Sequence, residues 1–175
     1  MDMPTFVKLA RTEHRLILPL LQHLFTLEGK TYALGDVKKI LASDIADRRD
    51  IFALKEGSTV IGCVCLALRD DDAELSHFVV GQEHAGKGYG ELLLQHVLDY
   101  CMKHHVTSLS CVIPRVYELL FAQNGFFMNR DKVFMELKRQ PATQQASLKD
   151  TFQDLSAVED IVGVTAQKLR RLKTR

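Results

Sequence analysis

The sequence predicts a mixed α/β domain whose elements follow the order βααβββαβαβ(β), with six to seven strands. Three observations lead there. Apolar residues recur at helical spacing up to residue 41 and as strand-like runs between 50 and 80. A glycine-punctuated stretch at 80–94, VGQEHAGKGYGELLL, runs directly from an apolar strand into an amphipathic helix. With 46% hydrophobic and 26% charged residues in 175, the chain can build one well-cored domain and a short appendage.

Residues 4–9 read as a first strand and 13–25 as a helix, with Leu16, Ile17, Leu20, Leu21 and Leu24 on one face. Pro19 inside it implies a kink or a late start. Val37, Ile40 and Leu41 mark a second helix, with Asp36 near its beginning. Residues 50–55, the turn Glu56-Gly57-Ser58 and residues 59–68 form a hairpin, and a turn at 69–72 leads into a strand at 73–80. After the glycines, Leu92, Leu93, Val97, Tyr100 and Cys101 define a helix closing on Lys103, His104 and His105, which suit its C-terminal dipole. Residues 107–113 are the next strand. Pro114 opens a helix through Ala122, Asn124-Gly125 stops it, and 126–137 supplies closing strands around an Asn129-Arg130-Asp131 turn.

The glycine junction has the construction of a phosphate site. Gly86, Gly88 and Gly90 remove Cβ atoms, so main-chain N–H groups can converge, and the next helix adds unpaired donors and its positive dipole end. A P-loop reading uses Gly81, Gly86 and Lys87 but fails where Gly88 replaces the Ser or Thr that reaches Mg²⁺. A dinucleotide fingerprint fails on spacing, because Gly86, Gly88 and Gly90 read GxGxG. A plain glycine-rich turn with no ligand is the remaining alternative. The block AGKGYG, preceded by Val80 and followed by Leu92, Leu93 and Leu94, resembles the acyl-CoA loop of the GNAT superfamily of N-acetyltransferases. The segment YELLFAQNGFF resembles the family's block where the helix after the fifth strand returns to the sheet, and the resemblance spans residues 5–138.

That resemblance implies a central, mostly antiparallel, twisted sheet with a splayed parallel pair, flanked by helices. It also implies an acetyl-CoA-dependent N-acetyltransferase that moves an acetyl group to a primary amine by direct attack on the thioester. Phe78, Val79 and Val80 would then hold the pantetheine arm, and Ala85, Gly86, Lys87, Gly88, Tyr89 and Gly90 the pyrophosphate; no metal is implied. An alkylamine, of pKa about 10, must first lose a proton. Glu74, Ser76 and His77 are the candidate bases, and a bulge usual in that strand prevents alternation from choosing among them. His77 has the fitting pKa, but its plainer reading is a half-buried strand histidine hydrogen-bonded to backbone, and that of Glu74 a solvated hairpin end. His84 flanks the diphosphate or faces solvent.

Two positions depart from the family. Ala85 stands where Arg or Gln is usual, which leaves the main-chain cradle intact. Phe121 stands at the cofactor-facing position of the Tyr that protonates the departing thiolate, and has no proton to give. Tyr117, one turn earlier, is the substitute, although it also reads as helix packing. A noncatalytic acyl-CoA-binding or partner-docking module is therefore the rival expectation.

A net charge of +1 excludes a global field that would recruit nucleic acid or membrane. Residues 138–175 nevertheless hold eight Lys/Arg against four Asp/Glu, a local +4 that leaves the first 137 residues at −3. Residues 139–147 read as a linker and 148–175 as a basic helical extension. Within it, residues 155–169 resemble half of a helix-hairpin-helix DNA-binding unit, with Thr165 where a second glycine belongs. An amphipathic helix packing on its own domain or pairing a homodimer is the alternative. No apolar run near Met1 or elsewhere approaches the ~18 residues of a membrane span, so a cytoplasmic protein is expected. Cys63, Cys65, Cys101 and Cys111 lack zinc spacing and read as reduced, buried, small hydrophobes.

Overall fold

The computed structural model describes residues 3–129 and 132–136, within the chain's first unit, Met1–Lys138. The expected linker at 139–147, the extension at 148–175 and the centre of the 129–131 turn lie outside the described residues.

Strand β1 (Thr5–Lys8) precedes a 3-10 turn at Arg11–Ile17 and helix α1 (Leu18–Leu27). Pro19 causes the late start: it sits in the first turn of α1, where a missing N–H costs nothing. Helix α2 (Leu34–Ala46) runs beyond its expected apolar residues. Next, β2 (Asp50–Glu56), β3 (Thr59–Arg69) and β4 (Asp72–Val80) fold as successive antiparallel neighbours. Helix α3 (Tyr89–Lys103) then carries the chain across, so that β5 (Ser108–Cys111) lies parallel to β4. Helix α4 (Glu118–Gln123) and the strands β6 (Phe127–Asn129) and β7 (Lys132–Glu136) complete a mixed sheet in the order β1-β2-β3-β4-β5-β7-β6.

Helices cover both faces, which is why β3 reads as a continuous apolar run rather than an alternating one. On one face, Leu21, Leu24 and Phe25 of α1 and Val37 and Leu41 of α2 pack on Ile51, Cys63, Cys65 and Val79. On the other, Leu93, Leu94 and Val97 of α3 and Phe121 of α4 pack on Leu54, Val64, Leu75 and Phe78. All four cysteines are free and buried in these two layers. No helix among the described residues is long and apolar enough to cross a membrane.

Phe121 is fully buried, with its ring edge-on to Phe78 at 5.1 Å and tilted on Phe126 at 4.8 Å. Leu119, on the same helix, is 70% exposed. Phe121→Ala is therefore expected to cost about 3–5 kcal/mol in urea unfolding, and Leu119→Ala less than about 0.5 kcal/mol. Equal costs would mean that α4 does not pack through Phe121.

Candidate active site

Strands β4 and β5 pair only from Asp72–Ser108 to Leu75–Cys111, and β4 then continues alone to Val80. Its other edge stays with β3: Gly81 N–H donates to the Ile61 carbonyl at 2.9 Å, and Cys63 faces Val79. Successive residues of an antiparallel strand turn their main-chain groups to opposite edges, so Val79 addresses β3 and Val80 the open edge. There the Val80 N–H donates to the Tyr117 hydroxyl at 3.0 Å. The Tyr117 ring is braced edge-on against Phe78 at 5.1 Å. Burial holds the Tyr117 phenol above its usual pKa, with the hydrogen bond from Val80 opposing.

The register of β3 and β4 jumps within this stretch: Cys63 opposes Val79, whereas Cys65 opposes Ser76. Two residues, His77 and Phe78, thus share the place opposite Val64, a β-bulge whose residue His77 takes φ 54°. Alternation breaks at that point. Leu75, Phe78 and Val80 face the α3 layer, while Ser76 and His77 both meet residues of the α1–α2 side.

A half-buried polar cluster results, with Asp44 its one buried member. His77 Nδ1 lies 3.2 Å from Ser76 Oγ and 3.4 Å from Asp44 Oδ2, and its ring meets Phe25 edge-on at 5.9 Å. The Arg49 guanidinium ties the group together. It donates from Nη2 to Glu74 Oε1 at 2.7 Å and from Nη1 to Ser76 Oγ at 3.0 Å, and its Nε stands 3.4 Å from Asp44 Oδ1. Burial pulls the His77 pKa below the ordinary histidine value; the Asp44 carboxylate opposes this and Arg49 adds to it. The imidazole is therefore neutral at pH 7. Burial also raises the Asp44 pKa, against the pull of His77 and Arg49.

Asp44 and Arg49 are not among the residues sequence reasoning singles out. The available signal is Asp44 itself, which continues the buried stripe of Val37 and Leu41 along α2 and so needs a partner. Donor atoms of Asp44, Cys65 and His77 lie within 4.8 Å of one another. The guanidinium beside Asp44, and the burial that pushes the Cys65 thiol far up, work against a cation there.

Beyond Val80, a 3-10 turn at Gln82–His84 leads to the glycines. Gly86 and Gly88 adopt φ 74° and 82°, and an added Cβ would meet nothing within 4 Å, so the left-handed backbone alone demands glycine. Gly88 is the N-cap of α3, whose first internal bond joins Leu92 N–H to the Gly88 carbonyl at 3.1 Å. The N–H groups of Tyr89, Gly90 and Glu91 are then free of intrahelical partners at the positive end of a fifteen-residue helix. Gly90 serves packing, since a Cβ there would sit 3.3 Å from Leu120 Cδ2.

A cleft of about 570 Å³ joins these parts, lined by Val80, Ala85, Gly86, Gly90 and Tyr117, with His23 of α1 opposite. His84 lines it too, 3.7 Å from Glu83 and edge-on to Tyr89 at 5.9 Å. Lys87 and Gly88 complete the loop. Phe78 and Val79 bury their side chains in opposite layers; Phe78 offers the site main chain only, and Val79, expected to hold a ligand arm as well, instead spends its main chain on β3. Phe121 is in the core and presents no surface to the cleft. Glu74 and His77 are gathered at the bulge, outside the residues lining the cleft.

The model of the acetyltransferase (GNAT) family matches residues 17–126. No curated protein matches the sequence. Similar solved structures include an acetyltransferase from Thermus thermophilus, with TM-score 0.65 and 22% identity over 77% of this chain and 97% of that one. Ribosomal-protein-S18-alanine N-acetyltransferase from Escherichia coli has TM-score 0.62 and 21% identity over 80% and 96%. A GNAT family acetyltransferase from Brucella melitensis in complex with acetyl-CoA has TM-score 0.63 and 13% identity over 81% and 92%. At these identities the likeness is one of fold.

The cluster sets a sign that NMR titration of the imidazole protons can read. Asp44→Asn removes the carboxylate that favours imidazolium, so the His77 midpoint falls further; Arg49→Gln removes the opposing cation, so it rises. Midpoints unmoved in both variants would mean that the ring does not sense the cluster.

Proposed function

Because the chain belongs to the acetyltransferase (GNAT) family, we propose that it is an acetyl-CoA-dependent N-acetyltransferase that carries the acetyl group directly to a primary amine. The observation that supports this most is the open edge of β4, from the bulge to Val80, leading straight into the left-handed glycines and the N-terminus of α3. An extended ligand arm pairs with an extended strand, and a diphosphate with converging N–H groups. Acetyl-CoA would supply the activated acyl group as a thioester, with Phe78 and Val80 holding the pantetheine arm and residues 85–90 the pyrophosphate.

The chain's own work is proton handling and positioning. An ammonium substrate must lose a proton, and neutral His77, which lies outside the residues lining the cleft, accepts it through water. Glu74 and Ser76, both engaged by Arg49, hold the surroundings of the ring rather than compete for the proton. The freed amine attacks the acyl carbon, forming C–N as C–S breaks. The nitrogen gives up its surplus proton as the amide forms, the departing sulfur takes one from Tyr117, and the proton released from nitrogen restores the phenol through solvent. Tyr117 is equipped to donate: burial keeps the phenol protonated, and its oxygen accepts from Val80, so the hydroxyl hydrogen is left to donate. With Tyr117 lining the cleft, Phe121 no longer argues for the noncatalytic module.

Purified protein should be stabilised by CoA and by acetyl-CoA, by several degrees at about 100 times Kd, and not by ATP-Mg²⁺. Absence of any CoA response would sink the reading. In acetyl transfer across an amine panel, the base must be unprotonated, so rate rises with pH through the His77 pKa. Since burial lowers that pKa from the ordinary histidine value, the midpoint of the limb lies below 6.5. His77→Gln should abolish the limb and lower kcat by about 10²–10⁴-fold. Retention of both would transfer the role of base elsewhere.

A further inference from the structure

At the corner where β1, the turn after it, and the end of α2 meet, a second cavity of about 350 Å³ is lined by Lys8, Arg11, His14, Arg48, Arg49 and Asp50. Only one of these six polar groups is acidic. Asp50 is taken by Lys8 at 2.7 Å, and Arg49 is held by Glu74 and Asp44. Arg11 and Arg48 have no acidic partner among the described residues, and His14 Nδ1 is buried without a hydrogen-bond partner. Two arginines without an acidic partner among the described residues therefore line one concave space.

Arg48 is also held at a backbone cost. The end of α2 is closed by Arg48 N–H to the Ile45 carbonyl at 3.2 Å and Arg49 N–H to the Asp44 carbonyl at 3.0 Å. That closure puts Arg48 at φ 58°, a position where glycine or asparagine is the less strained choice. Strain at a residue that lines a cationic cavity points to a use for its side chain.

We propose that this corner is a binding site, separate from the acyl-CoA cleft, for a small dianion, a phosphate group or a dicarboxylate. Arg11 and Arg48 are its principal ligands, because planar guanidinium forks match the paired oxygens of either anion. The cavity also shares Arg49 with the bulge cluster. An anion drawn to that guanidinium competes with Glu74 and Asp44, so occupancy is felt at His77. This last consequence rests on the proposed role of His77; the site itself does not.

The test is calorimetry and thermal-shift titration with sodium phosphate and sodium succinate, against sodium chloride at matched ionic strength, with CoA present to fill the glycine loop. The expected result is saturable stabilisation by at least one dianion beyond the chloride control. It should weaken about tenfold in Arg11→Gln/Arg48→Gly. Because Arg48→Gly relieves the left-handed backbone, the double variant should fold at least as stably as the parent. Dianion responses no larger than chloride, or an undiminished response in the double variant, overturn the proposal. Should CoA fail to bind, phosphate can also occupy the glycine loop, and the double variant then loses one of two sites.

Discussion

The parallel pairing of β4 with β5 stops at Leu75–Cys111, and the site is organised around that early parting. Within a sheet, main-chain donors and acceptors seldom go unpaired. Here an edge of β4 is opened in the middle of the sheet, and its Val80 N–H is met by the hydroxyl of Tyr117. Tyr117 ends a 3-10 turn, Arg115–Tyr117, and is the N-cap of α4, which is anchored by Phe121, four residues on and wholly buried against Phe78 and Phe126. Both rings, Tyr117 and Phe121, meet Phe78 edge-on at 5.1 Å. The same packing that closes the core therefore sets the phenol at the parted strands, and Phe121 bears on the chemistry without touching the cleft.

The bulge at His77 adds the second half of the arrangement. An unbroken β4 would put Ser76 and His77 on opposite faces. With the extra residue, both turn toward the end of α2, where Asp44 is buried and Arg49, just beyond the helix, half-buried. A low-polarity setting makes each of these charges costly alone, and the guanidinium is what makes the group tolerable, with contacts to Glu74, Ser76 and Asp44. The effect on His77 follows from which influence is larger: burial outweighs the nearby carboxylate, so the ring is kept neutral rather than cationic. A histidine that were simply paired with an exposed carboxylate would show the opposite sign.

How much of this is legible in the sequence depends on the range of the interaction. Gly86 and Gly88 are readable because their requirement is local, a positive φ that needs no distant residue to explain it. The family resemblance, carried by the same loop and by the block ending in Gly125-Phe126, fits the mixed α/β fold. Pro19 is readable for the same reason, as a first-turn residue. The bulge is not, because it exists only in the register between β3 and β4. Nor is the Arg49 cluster, whose partners lie 25 and 27 positions away. Position 117 shows the boundary between the two cases: helical spacing brings Tyr117 forward as a candidate and as a packing residue, and its ring does pack on Phe78, but only the path of β4 decides that its hydroxyl meets Val80.

The contact between Tyr117 and Val80 also constrains how the proposed reaction would be ordered. One N–H can serve one acceptor well, so a ligand carbonyl lying along the open edge would compete with the phenol oxygen for Val80. A hydrogen bond of this kind is worth only about 1 kcal/mol net, small enough to be exchanged on binding. The exchange would leave the Tyr117 oxygen without its donor in a cleft that burial already makes hostile to phenolate. The phenol would then turn toward whatever new polar atom the ligand brings, and in a thioester the nearest such demand is the sulfur as it leaves. On the proposed reading, opening the sheet and stocking its gap with a protonated tyrosine would be two aspects of one device: the group that satisfies the empty edge would be the group released when the edge is filled.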